Sequence, residues 1–154
     1  MKLITTIAIG MLLATSASAQ TLMKEDKFFA GPSIGAGFGG GPTMGVNGGY
    51  EFHKNGRIEA IYDHMFMPST NNLDQLGGNV IFQVPTSGYV TPYALTGVGY
   101  QWQNGTNQGV WNVGAGARLA VTNHMDLDLR YRYVQGFYNQ TNNNLVGLGT
   151  TFKF

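Results

Sequence analysis

The chain has 154 residues, no cysteine and 23 glycines, and only 11% of its residues are charged. Disulfide frameworks and thiolate chemistry are excluded, and the near-neutral formal charge of +1 argues against a nucleic-acid partner. The glycines follow no three-residue period and the aromatic content is 12%, which excludes collagen and argues against general disorder.

At the start, Met1-Lys2 precedes an apolar run from Leu3 to Leu13 and a small-residue ending at Ala17-Ser18-Ala19. This order predicts a cleavable export signal over residues 1–19. The run is too short for a membrane-spanning helix, which needs roughly 20 apolar residues. Residues 20–27 then form a short periplasmic lead, and residues 28–154 form one domain. Losing Lys2 with the signal leaves eight basic and eight acidic residues.

Beyond the signal no helical periodicity is sustained. Eight alternating segments of about ten residues appear instead, the length at which a tilted strand crosses a bilayer. They run over 28–38, 43–52, 57–67, 75–84, 89–102, 109–120, 125–135 and 143–154. Each has an oily face and a polar one. In the first three the oily faces include Phe28, Ile34 and Phe38, then Met44, Val46 and Tyr50, then Ile58, Tyr62 and Phe66. The fourth and fifth offer Leu76, Val80 and Phe82, then Val90, Val98 and Trp102, although reversing the fifth would turn Tyr93 and Leu95 outward. The last three offer Trp111, Val113 and Leu119, then Leu127, Leu129, Tyr131 and Tyr133, then Val146, Leu148, Phe152 and Phe154.

The opposite faces carry mostly Gly, Ser, Asn, Gln and a few charges, too little polar bulk to wrap a soluble barrel but suited to a narrow interior. Aromatic residues fall near segment ends, as interfacial girdles do. The expected fold is therefore all-β: an eight-stranded antiparallel up-and-down transmembrane barrel, closed because no backbone group can stay unbonded in hydrocarbon. Tight connections at 53–56, 85–88 and 121–124 should be periplasmic, and those at 39–42, 68–74, 103–108 and 136–142 should face outside.

Inward positions hold Arg57, Arg118, Arg130, Arg132 and Lys153 against Glu51, Glu59, Asp63, Asp126 and Asp128. The third and seventh strands face each other across an eight-stranded barrel, so Glu59 and Asp63 can reach Arg130 and Arg132. Such a set reads as a plug of paired charges, since eight strands leave room for little beyond side chains. The alternative is a gated conductance path in which the pairs exchange partners.

Catalytic and metal-binding patterns are sparse. His64 is the best candidate base, with Asp63 adjacent and Ser69 just beyond, but neighbours on a strand face opposite ways, so Asp63 is badly placed to orient it. His53 and His124 lie at turns and are too few for a metal site. Asn104-Gly105-Thr106 and Asn139-Gln140-Thr141 match a glycosylation triplet but read as polar turn chemistry. No catalytic residue, metal or cofactor is assigned.

The chain resembles the small outer-membrane β-barrel family of the OmpA/OmpX type, a porin-like group. The resemblance covers about Phe28 to Phe154. It rests on Thr91-Pro92-Tyr93 leading into Gly97-Val98-Gly99-Tyr100, on Gly114-Ala115-Gly116-Ala117-Arg118, on Leu129-Arg130-Tyr131-Arg132-Tyr133, and on the terminal Gly147-Leu148-Gly149-Thr150-Thr151-Phe152-Lys153-Phe154. It implies a monomeric, multi-pass protein of the bacterial outer membrane, surrounded by lipid and lipopolysaccharide. Phe152 and Phe154 would be the aromatic signal presented to the outer-membrane assembly machinery. Members that act as adhesins or receptors carry longer loops, and the His-x-Ser-Asn arrangement of a lipid A deacylase is absent. The roles left are structural or porin-like, a narrow gated channel, and a surface-binding or lipid-modifying protein.

Overall fold

The computed structural model describes residues 27–38, 40–67, 72–103, 105–138 and 142–154. The expected export signal, Ser69, Asn104 and the triplet at 139–141 lie outside these residues. Eight strands follow one another: β1 (Phe28–Phe38), β2 (Pro42–His53), β3 (Gly56–Met65), β4 (Leu73–Gln83), β5 (Val90–Gln103), β6 (Thr106–Thr122), β7 (Met125–Gly136) and β8 (Asn142–Lys153). Every neighbouring pair is antiparallel, and β1 pairs with β8 to close the barrel. Backbone bonds from Phe28 N to Phe154 O (3.2 Å) and from Phe154 N to Phe28 O (3.0 Å) complete the seam. Closure satisfies the ladder on both sides of every strand and leaves no edge.

The period-two pattern has turned each strand as its sequence implies. Large apolar side chains on the outer face are exposed, among them Ile34, Phe38, Met44, Leu76, Phe82, Val98, Leu129 and Leu148. The inner face buries Glu59, Asp63, Arg130 and Arg132. β5 follows the same rule: Tyr93 and Leu95 are buried and Val98 and Tyr100 are exposed. A one-residue slip would exchange these sets, so register is strongly specified.

Three connections differ from expectation, the first being the one expected as a tight turn at 85–88, which spans the six residues 84–89 between Gln83 and Val90. Residues 103–108 are largely ladder, because Gln103 pairs with Thr106 and leaves a two-residue turn whose Gly105 has φ +85°. A Gly at positive φ after Asn104 is the chemistry of a tight hairpin turn, a local signal stronger than the surrounding polarity. β3 ends at Met65, and Leu73 and Asp74 belong to β4, so the connection between them covers 66–72, shifted by two residues from 68–74 and equal to it in length. The set of connections assigned to the outside thus contains a turn as short as those joining β2 to β3 and β6 to β7, where His53 pairs with Gly56 and Thr122 with Met125.

Candidate functional site

The lumen is organised in levels along the barrel axis. At its centre β3 presents Glu59 and β7 presents Asp128 and Arg130. The guanidinium of Arg130 grips Glu59 with both terminal nitrogens, Nη1 donating to Oε1 at 2.6 Å and Nη2 to Oε2 at 2.8 Å. Nη2 also donates to Asp128 Oδ2 at 2.8 Å. Two amides complete the shell of Glu59: Asn79 Nδ2 donates at 2.9 Å and Asn47 Nδ2 at 3.2 Å. A bidentate, charge-assisted pair with its remaining lone pairs occupied is the geometry in which burying ions costs least.

Tyr93 ties this cluster to β5. Its hydroxyl donates to Asp128 Oδ1 at 2.5 Å and accepts from Arg130 Nε at 3.0 Å. The phenol fits because β6 carries glycine opposite it: a Cβ on Gly116 would lie 2.4 Å from the ring. Gly45 does the same for Asp63, whose Oδ1 would stand 2.5 Å from a Cβ there. Inward glycines are therefore the complement of the inward charges.

Toward the β3–β4 connection Arg132 pairs with Asp63. A cavity of about 30 Å³ lies beside them, lined by Ser33, Thr43, Asn47 and Arg130 among others. That is room for water and little else. Asn47 Oδ1 and Arg132 Nη1, which have no protein partner, are the groups such a water would bridge.

Toward the chain ends the pairing changes. Arg57 meets Glu51, its register neighbour on β2, at 2.6 Å, and its guanidinium lies 5.0 Å from the centre of the Phe29 ring. Lys153 meets Asp126 at 2.9 Å. Arg118 bonds a neutral group, donating from Nη2 to Gln83 Oε1 at 2.6 Å, with its guanidinium 4.9 Å from the Tyr93 ring centre. Glu59, Asp63, Asp128, Arg130 and Arg132 thus come together across the lumen, whereas Arg57 and Arg118 are held by local partners.

Sequence reasoning missed the apolar level above the charges. Met65, Leu73, Val110, Val134 and Leu145 form one buried cluster with Met67 packed on it. All five face inward, and Val110 is fully buried. Met65 reaches beneath the β1–β2 connection, where a Cβ on Gly40 would stand 2.4 Å from its sulfur. The signal was present in the sequence: Val134 and Leu145 break the polar inner faces of β7 and β8 at their loop-side ends. Tyr93, Asn47 and Asn79 were missed because uncharged polar residues look alike whether they solvate a lumen or hold a carboxylate.

On the outer face, His64 Nδ1 lies 2.7 Å from Asp74 Oδ1, and the Tyr62 hydroxyl donates to the same oxygen at 2.6 Å. The acid beside His64 is thus Asp74 of the next strand, directly opposite in register, while Asp63 faces inward to Arg132. Phe152 projects outward at the closing end of β8. Among the described residues no group of three or more His, Cys, Asp and Glu side chains is arranged to hold a metal ion.

Solved structures of similar shape are small barrels. The N-terminal β-barrel domain of Pseudomonas aeruginosa OprF is matched with a TM-score of 0.71 at 16% identity, over 84% of this chain and 98% of that one. Neisserial surface protein A is matched at 0.66 and 21%, over 82% and 96%. The outer membrane enzyme PagL is matched at 0.59 and 14%, over 82% and 99%. At these identities the likeness is one of fold. No curated protein sequence matches the chain. The family described as outer membrane protein β-barrel domain matches residues 7–154, and with the closed barrel, its lipid-suited exterior and its charged interior, the chain belongs to that family, as a small barrel of the OmpA/OmpX type.

Proposed function

We propose that this chain is an integral protein of the bacterial outer membrane whose barrel is a filled structural element and not an open pore. The observation that carries the reading is the stacking of two unlike seals in one lumen: the Glu59–Arg130–Asp128–Tyr93 cluster and, above it, the Met65–Leu73–Val110–Val134–Leu145 plug. A hydrated ion passing the axis would have to part a bidentate ion pair and then wet an apolar constriction, and dewetted constrictions block conduction. The water-sized cavity between them supports the same reading.

An even number of strands puts the start of β1 and the end of β8 on one side, which we assign to the periplasm, after export by the amino-terminal signal. Phe152 and Phe154 would serve there as the recognition element for the assembly machinery. The connections are short, which favours a structural role over adhesion. The mature chain, refolded and shown to be closed by its heat-modifiable gel mobility, should give no discrete conductance steps in a planar bilayer. Regular steps from the same folded sample would replace this reading with a gated channel.

A further inference from the structure

The ladder that closes the barrel has one rung missing. Phe28 and Phe154 exchange both backbone bonds, so every second residue of β1, Ala30, Pro32 and Ile34 among them, directs its backbone nitrogen at β8. Pro32 has no N–H to give. Pairing of β1 with β8 accordingly lapses after Ala30↔Phe152 and resumes at Ser33↔Gly149. The carbonyl oxygen of Thr150, the residue facing Pro32, leans into the place of a Cβ on inward-facing Gly31, so glycine is what fits before the proline. Among the described residues the other ladders are interrupted only beside turns, between Glu51 and His53 and between Ala120 and Thr122.

Side chains do not make up for the gap. The bonds inside the lumen staple β2 through β7 to one another: Asn47 and Arg130 to Glu59, Arg132 to Asp63, Tyr93 to Asp128 and Arg118 to Gln83. Among the described residues no side-chain hydrogen bond or ion pair joins β1 to β8. The inner face of the seam is nearly bare, with Gly31, Gly35 and Gly37 on one strand and Gly147 and Gly149 on the other. The water-sized cavity between the two seals lies against it, lined by Ser33, Gly147 and Gly149 on the seam side and by Asp63 and Arg132 beyond.

We propose that the β1–β8 seam is a lateral gate, at which the two strands part locally around Pro32 while β2 through β7 stay stapled. Parting opens the space between the seals through the wall of the barrel, so that water beside Asp63 and Arg132 exchanges without crossing either seal. A missing backbone bond and a face without side chains make this the cheapest pair of neighbouring strands to separate. β4 and β5, by contrast, pair without a gap from Asp74↔Trp102 to Gln83↔Tyr93. Lateral opening leaves the filled axis intact, so the conductance that tests the filled barrel and the exchange that tests the seam are independent.

Hydrogen–deuterium exchange of the folded barrel in nanodiscs, read by mass spectrometry, is the test. Amides of residues 33–37 and 145–149 should exchange faster than those of 77–81 and 94–98, in the middle of β4 and β5. Pro32→Ala supplies the missing donor and should slow exchange in the seam by about fivefold, the scale of one neutral hydrogen bond, with β4 and β5 unchanged. Ser33→Cys with Gly149→Cys provides a lock. The two positions are in register, and a Cβ on Gly149 would stand 3.4 Å from that of Ser33, within reach of a disulfide in a chain that has no other cysteine. Oxidising the pair should bring the seam down to the rate of β4 and β5, and reducing it should release the seam again. Seam amides that exchange no faster than those of β4 and β5 in the parent barrel overturn the proposal, as do fast amides that the oxidised lock leaves fast. Fast exchange that the lock abolishes and Pro32→Ala does not slow overturns the part assigned to Pro32.

Discussion

Two levels of the same lumen, a few residues apart along β3 and β7, exclude water by opposite means. The central level on β3, β5 and β7 is ionic: Glu59 alone receives four hydrogen bonds, two of them from Arg130. The loop-side level is oil: Met65, Leu73, Val110, Val134 and Leu145 pack on one another as one buried apolar cluster. The ionic level is directional and fixes which strands face each other, while the apolar level has no preferred partners and seals by volume. A barrel filled only with charges could exchange pairs and let water follow. A barrel filled only with oil would have nothing to pin one arrangement of eight similar strands.

The comparison breaks most sharply at Arg130. Arg130→Ala leaves Glu59 and Asp128 buried without their cation and should cost about 3 to 5 kcal/mol. The urea unfolding midpoint in detergent should fall accordingly, and an unchanged midpoint would sink the idea of a coupled network. Replacing Glu59 and Arg130 together, as Glu59→Gln with Arg130→Met, removes both charges and should recover much of that loss.

The apolar level should answer differently. Leu145→Ala opens a cavity in the plug and should cost about 2 to 4 kcal/mol, still without admitting ions. Met65→Ser with Leu145→Ser should let water into the constriction. Planar-bilayer recordings of that pair should show brief openings that Arg130→Ala alone does not. If both variants stay silent, the charged level suffices as a seal.

How much of this was legible in the sequence depends on whether periodicity or partner choice was needed. Alternation assigned the faces of all eight strands, because one slipped residue would put Arg130 and Arg132 into lipid and Leu129 and Tyr131 into the lumen. Opposition of the third and seventh strands brought Glu59 and Asp63 toward Arg130 and Arg132. Arg118 shows the limit: its register neighbour is Asp128, yet that carboxylate is taken by Tyr93 and Arg130, and Arg118 turns to Gln83. The competition is three-dimensional, and nothing in a linear pattern ranks its contestants. His64 shows the same in miniature, since its acid partner sits ten residues away on the neighbouring strand and not beside it in the chain.

Tyr93 is where the ionic level can be loosened without stranding a charge, so its effect should be smaller than that of Arg130. Tyr93→Phe keeps the ring on which Arg118 and Arg130 lie, at 4.9 and 5.7 Å, and removes only the hydroxyl between Asp128 and Arg130. Asp128 retains Arg130 Nη2 and loses one donor, while Arg130 Nε loses its acceptor. Losing hydrogen bonds to charged groups with the rest of the site in place should cost about 1.5 to 3 kcal/mol, read from the same urea midpoint. A loss matching that of Arg130→Ala would mean that the hydroxyl organises the pair and the bidentate grip alone does not. A loss near zero would mean that Glu59 and Arg130 suffice, with Asp128 resolvated by water from the adjoining cavity.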